Sequence, residues 1–203
     1  MEKVTDPIED ILDFWFGELN EHGCSSPEHR KRWWTKSDAF DESIQHYFLD
    51  DYEAIVAGER EAWRSTARGA LAYIIVLDQF SRNTFRGTAK MFAADELARE
   101  VCREGLDAGF DAELSFDERV FFYLPLEHSE SMDDHELCLE LFESLLDSAP
   151  ELLQADAKYY LDFALQHKAI IERFGRYPHR NKILGRASSD EEARFLQEPG
   201  SSF

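Results

Sequence analysis

The sequence predicts an all-α protein. Three observations carry that expectation. Apolar residues recur at helical spacing, capping residues precede most of the apolar stretches, and no segment alternates as a half-buried strand would or carries an Asn-Gly hairpin signal. The spacing of the segments suits a stack of antiparallel helical hairpins, as in an α-α superhelix, or an irregular bundle.

Asp6-Pro7-Ile8-Glu9 combines an N-cap, a proline at the first helical position and a reciprocal acid at the third, so a helix is expected through about Leu19. Ile8, Ile11, Leu12, Trp15 and Phe16 form its apolar face. The stretch from Asn20 to Pro27 has loop composition. Ser37 then caps a second helix with a stripe of Phe40, Ile44, Tyr47, Phe48 and Ile55, ending at Gly58. A third, from about Ser65, contains ALAYIIVL (Ala70 to Leu77) and is apolar on all sides, which requires neighbours all round. A fourth is expected from near Thr88 to between Gly105 and Gly109.

Ser115-Phe116-Asp117-Glu118 is a capping box opening a fifth helix, whose Pro125 is expected to kink or end it. Ser131 caps a sixth with Leu137, Leu141 and Leu145 on one face. Pro150 opens a long seventh that runs to Gly175. In it Tyr160, Ala164, His167, Ile171 and Phe174 share one face, which turns His167 inward. Ser188-Ser189-Asp190-Glu191 caps a short last helix. Residues 199–203 are expected to fray, leaving one domain over residues 1–198.

Composition narrows the function. With 203 residues, 43% hydrophobic and 13% aromatic, the chain can bury a sizeable core and is not disordered. Its net charge of −20 repels nucleic acid and anionic lipid, so neither is an expected partner. Cys24, Cys102 and Cys138 lie far apart without metal-type spacing, which suits a reducing compartment. The N-terminal segment lacks a secretory pattern, and the longest apolar runs fall well short of the roughly 20 residues that span a bilayer. A soluble, cytoplasmic protein is expected.

Against that acidic background, the segment Gln166 to Arg186 stands apart. It holds Lys168, Arg173, Arg176, Arg180, Lys182 and Arg186 against Glu172 alone, a net +5 in a chain of −20. Its second half, from Arg176, has the composition of an exposed, proline-stiffened loop. Two other apolar helices also end in polar clusters: Asp78, Arg82, Asn83 and Arg86 after the third, and Glu127 and His128 after the fifth. Rigid helix ends are where a preorganised site is best built. Arg82, Asn83, Arg86, Arg176, Arg180 and Asn181 are therefore the candidate anion ligands, since planar guanidiniums and amides grip phosphate and carboxylate. His128, His167 and His179 are the candidates for proton transfer, oriented by Glu127 or Asp78.

Each cluster also has a structural reading. Asp78 and Arg82 are spaced as an i,i+4 ion pair, the histidines could be satisfied core residues, and the arginine loop could clamp the chain's own carboxylates. Trp33 and Trp34 offer stacking surfaces but are read here as sealing a loop onto the core. No His-x-x-x-His or Glu-x-x-His pair places two metal ligands on one helical face, and no phosphate loop, dinucleotide fingerprint or nucleophile elbow is present. No metal and no cofactor is expected.

The segments ILDFWFGE (11–18), RWWTKSDAFDESI (32–44), IIVLDQFSRNTFRGTAKMFAAD (74–95), FFYLPLEHSES (121–131) and QHKAIIERFGRYPHRNKILGR (166–186) resemble the bacterial domain of unknown function 924 family. The resemblance covers nearly the whole chain. It implies a tetratricopeptide-like stack of helical hairpins, and it implies no activity and no residue roles. Two functions follow from the clusters. One is a pocket for a small anionic ligand, a phosphate ester or carboxylate, with histidine acid–base chemistry. The alternative is an interaction scaffold whose groove takes an acidic peptide or partner protein, with the Arg and His clusters partly structural. The sequence sets no oligomeric state.

Overall fold

The computed structural model describes residues 6–201. Residues 1–5 and 202–203, the first part of the N-terminal segment and the last part of the expected frayed tail, lie outside them. The chain is all-α, with no strand among the described residues. None of the described helices is long and apolar enough to cross a membrane. The chain divides into two compact units: an N-terminal one up to Arg86 together with Lys90–Pro125, and a C-terminal one of Gly87–Ala89 together with the residues from Leu126 onward.

In the N-terminal unit, α1 spans Pro7–Phe16, with the Asp6 carboxylate accepting from the Ile8 N–H at 3.0 Å. Its buried face is Ile11, Leu12, Trp15 and Phe16. The helix stops before the expected Leu19 because Gly17 turns at φ 66°. A side chain there would also collide with the His29 ring, 2.6 Å from where its Cβ would sit. Glu9 does not close a capping box but pairs with Arg68 at 2.7 Å.

At the end of the stretch expected to be loop, Asn20 to Pro27, begins a short helix that the sequence reading did not assign, α2, Pro27–Trp33, capped by Ser26 with Pro27 at its first position. It finishes α1: Arg32 donates to the Phe14 carbonyl and the Trp33 indole N–H to the Trp15 carbonyl, each at 3.0 Å. Both carbonyls belong to the last turn of α1, which has no internal donors for them. Trp33 also packs edge-on against Phe121 at 4.6 Å.

Helix α3, Asp38–Val56, is capped by Ser37 and buries Ile44, Phe48, Tyr52 and Ile55, while Tyr47 of the expected stripe is solvent-facing. Helix α4, Ala67–Ile74, is capped by Thr66 and runs without a break into a π-helical turn, Ile75–Phe80, and then α5, Ser81–Thr84. All residues from 69 to 81 are buried, as an apolar-all-round sequence requires. In the π turn the Ser81 N–H bonds back to the Val76 carbonyl, five residues earlier.

Helix α6, Asp95–Asp107, begins later than expected; Gly87 turns at φ 80° and Ala89–Phe92 forms a separate 3-10 turn first. At the start of helix α7, Phe116–Glu127, the Glu118 carboxylate accepts from the Ser115 N–H at 2.9 Å, as a capping box requires. It continues through Pro125 to Glu127, so the proline does not end it.

In the C-terminal unit, α8, Met132–Ser148, and α9, Gln154–Phe174, form a packed hairpin. The face that α8 buries is Asp134, His135, Cys138, Phe142 and Leu145; Leu137 and Leu141 flank it, half-buried. α9 buries Ala157, Tyr160, Ala164, His167, Ile170 and Ile171, so His167 points inward as its spacing predicts. Gly175, at φ 66°, ends α9. A loop leads to α10, Asp190–Phe195, capped by Ser189 with Glu192 completing a capping box one residue later than expected. That loop is not the exposed segment its composition suggests. Tyr177, Pro178, Arg180 and Asn181 are buried, and Tyr177 joins Ile170, Ile171 and Phe195 in a small core.

Gly69→Ala is expected to destabilise the N-terminal unit, since its Cβ would sit 2.2 Å from the Trp63 carbonyl oxygen. Backbone cannot yield as a flexible side chain does, so a loss of about 1–3 kcal/mol in urea unfolding is expected.

Candidate functional site

The cluster after α4 belongs wholly to the N-terminal unit. Asp78 is fully buried, accepts from the Gln79 amide at 2.6 Å and lies 3.3 Å from Arg82. Arg82 also grips Asp95 with both terminal nitrogens, at 2.9 and 3.2 Å. Asn83 and Arg86 converge on Asp41, at 2.7 Å and at 2.6 and 2.9 Å. Three candidate anion ligands thus hold carboxylates of the chain itself.

The other two clusters meet in the C-terminal unit, around Tyr177. Its phenol is fully buried. The hydroxyl donates to the Glu127 carbonyl at 2.5 Å and lies 3.3 Å from His135 Nε2. Three imidazoles surround the ring, with centroids 5.4 Å (His179), 5.8 Å (His167) and 6.2 Å (His135) away. The Arg180 guanidinium lies over the same ring, 4.6 Å from its centroid. Each element's own geometry accounts for this gathering. The α9 face delivers His167, the first turn of α8 delivers His135, the end of α7 delivers Glu127 and His128, and the left-handed turn at Gly175 folds Tyr177 back.

Two ion pairs pin the loop that carries Tyr177. Arg186 forks onto Glu130 at 2.7 and 2.9 Å, and the same carboxylate accepts the Tyr177 N–H at 2.8 Å. Arg176 forks onto Glu192 at 2.6 and 2.8 Å, where Asn181 also reaches at 3.3 Å. Arg173 pairs with Glu191 and Lys168 with Glu172. For most of the basic island the clamp reading therefore describes what the side chains touch.

Protonation follows from these contacts. The Arg176 fork, aided by the Ser189 N–H, holds the Glu192 carboxyl down at about 2. Burial alone would raise Glu130, but the Arg186 fork and the Tyr177 N–H outweigh it and hold it below the usual carboxylate range. Burial pushes His167 down to about 3 against the opposing pull of its bond to the Phe163 carbonyl, and the neighbouring His128, His135 and His179 add to the depression. Burial lowers His135 as well. Burial and the Glu127 carboxylate push the Tyr177 phenol far up. The ring that the sequence turned inward is thus neutral, and burial rather than the nearby carboxylate sets its state.

His135, Tyr177, Glu130 and Arg186 complete the site beyond the residues that sequence spacing singled out. A stripe read through 134/135, 138, 142 and 145 would have found His135. Nothing local in the sequence pairs Glu130 with Arg186. Among the described residues no group of three His, Cys, Asp or Glu side chains is arranged to hold a metal. A half-open cleft of about 380 Å³ lies in the N-terminal unit between the starts of α1 and α4; none of the predicted site residues lines it, and Arg68 in its wall is paired with Glu9 and Glu118.

An all-α chain with a buried His–Tyr–Arg cluster is the class that fold and geometry define. The chain belongs to a family of bacterial proteins of unknown function, the domain of unknown function 924 family, whose profile matches residues 11–200. A solved structure of a protein of unknown function from Agrobacterium tumefaciens is similar at 38% identity and a TM-score of 0.79, over 94% of this chain and 96% of that one. No curated protein matches.

Two outcomes are expected. Glu192 has a folded pKa below its unfolded one, so its contribution is present above about 4.5 and lost as pH falls through about 2. Glu192→Gln should therefore melt a few degrees below the parent at neutral pH, with the gap closing across that window. The unfolded chain protonates His167 near 6.5, whereas the folded chain resists until about 3, so His167 makes stability fall as pH drops through that interval. His167→Gln should flatten that part of a urea-midpoint profile, and the His167 ring should show no NMR titration between neutrality and the onset of acid unfolding.

Proposed function

We propose that the C-terminal unit binds a small anionic molecule, a phosphate ester or carboxylate, at the Tyr177 cluster, with acid–base groups in place beside it. The observation that supports this is the convergence of three imidazoles and a guanidinium on one buried phenol. Such a concentration of titratable groups disfavours folding unless each is met, and it is typical of sites that handle protons. In this reading Arg180 contacts the anion. Arg176 and Asn181, committed to Glu192, set the loop instead. Likewise Arg82, Asn83 and Arg86 order their own unit, and Asp78 supports Arg82. His128 and His179 are half-buried. His167 accepts a hydrogen bond as a neutral ring.

A thermal-shift screen of phosphorylated metabolites and carboxylic acids at low and high salt tests the proposal. A ligand at about 100 times its Kd should stabilise the protein by about 2.7 kcal/mol, and the shift should shrink in Arg180→Gln. A flat screen, or a shift that Arg180→Gln leaves untouched, would sink the reading and leave the cluster structural.

A further inference from the structure

Two of the imidazoles around Tyr177 are sealed from water, and a loop helps to seal them. His135 on α8 is 1% exposed and His167 on α9 is 4% exposed. Tyr177 packs against both. Its ring centroid lies 5.8 Å from that of His167 and 6.2 Å from that of His135, and its hydroxyl is 3.3 Å from His135 Nε2. A neutral imidazole tolerates such a place, whereas an imidazolium there loses its hydration, and like charges on facing rings repel. Charged and titratable groups face the pair from every element around it. Glu127, 3.4 Å from His167 Nδ1, and Asp134 beside His135 favour charged rings, as do the Phe163 and Ser129 carbonyls at 2.9 Å. His128 at the end of α7, Lys168 on α9 and His179 on the loop act against them, and Arg180 lies over the intervening phenol. Burial outweighs the favourable contacts at both rings.

The α8–α9 hairpin has a packed face apart from the loop. α8 buries Cys138, Phe142 and Leu145, α9 buries Ala157, Tyr160 and Ala164, and the Phe142 and Tyr160 rings stack at 6.4 Å. The loop, residues 176–189, has one short 3-10 turn, Pro178–Arg180, and no α-helix. It is fastened chiefly through side chains: Arg186 to Glu130, Arg176 to Glu192, and the Tyr177 hydroxyl to the Glu127 carbonyl. We propose that this loop is an acid-operated latch: in weakly acid solution, protonation of His135 and His167 releases residues 176–189 from the hairpin, while the hairpin and the N-terminal unit stay folded. The carboxylate staples are not the trigger. The Arg176 fork keeps Glu192 charged down to about 2, and Glu130 is held below the usual carboxylate range. The imidazoles are what change. With the loop closed, His167 stays neutral to about 3 and His135 also resists its proton; with the loop open, each takes a proton near 6.5. The latch is therefore firmest above about 6.5 and weakens as pH falls from there toward 3. It goes beyond the binding reading and holds whether or not an anion binds.

The test is amide hydrogen exchange on the full chain, read by mass spectrometry at about pH 7.5 and about pH 5 and corrected for intrinsic exchange rates. Each ring that is neutral when closed and titrates ordinarily when open raises the opening constant by about thirtyfold between those pH values. Amides of residues 176–187 should therefore open about 30-fold to about 1,000-fold more often at the lower pH, while amides at the centres of α4 and α9 change by less than about threefold. His167→Gln, which cannot take the proton, should cut the rise by about thirtyfold, and His135→Gln by at least about threefold. Either variant decides the matter if the other fails to fold. A rise of under about threefold in the loop would overturn the latch. Equal loss of protection in the loop, α4 and α9 would overturn it too, because the chain would then be opening as a whole. A rise that neither variant diminishes would overturn the assignment to these two rings.

Discussion

Meeting buried carboxylates is the constraint on which both units depend. With 42 Asp and Glu against 22 Lys and Arg, the chain cannot neutralise its surface, and the arginines go where an unpaired charge would be least tolerable. Asp117, fully buried, takes both the Ser25 N–H and the Arg30 fork, which ties the start of α7 to α2. Asp95 and Asp78 share Arg82, and Asp41 takes Arg86 and Asn83. In the C-terminal unit Glu130 and Glu192 perform the same task with Arg186 and Arg176. Forked guanidiniums suit the role because two parallel bonds fix orientation as well as charge.

The Glu130 pairing shows what such a staple positions. Its carboxylate receives the Arg186 fork and the Tyr177 N–H together, which sets where the phenol enters the unit. Arg186 in turn donates to the Tyr177 carbonyl at 3.1 Å, so the backbone of that one residue is held on both sides. The hydroxyl then reaches the Glu127 carbonyl, at the end of α7 where chain-internal donors run out. Tyr177 is thereby a spacer of fixed position around which the imidazoles arrange. Cationic residues that look, in sequence, like a binding surface are in large part the scaffold that positions a buried phenol.

Periodicity and capping made much of the helical order legible. Asp6, Ser37, Gly58 and Gly175 bound helices where their chemistry says they should, and the 4, 3, 4, 3 spacing from Tyr160 places His167 inside. The failures have physical causes. Ser26-Pro27-Glu28 starts α2, yet it sits in a turn-rich stretch where the same residues favour loops. A run that is apolar on every side, such as Ile74 to Leu77, carries no register, so a π turn cannot be told from an α turn there. On α8, a leucine stripe and the true buried face lie one residue apart, and the leucines concealed His135. Ion-pair partners are beyond local reading altogether, since Arg30 and Asp117 are 87 residues apart and Arg186 and Glu130 are 56 apart.

The same contrast separates the two kinds of basic residue in the C-terminal cluster. A guanidinium stays charged at any pH the fold survives, so burying it obliges the chain to supply acceptors nearby. An imidazole escapes that obligation by losing its proton, and His167 does so because burial disfavours its cation more than the Phe163 carbonyl favours it. Once neutral, the ring keeps one donor and one acceptor, and whichever nitrogen the backbone engages decides what the other can do. Carbonyls from Phe163 and Ser129 take the donors of His167 and His135. Burial and backbone carbonyls, more than the positive charge that marks the segment in the sequence, therefore set the protonation of these rings.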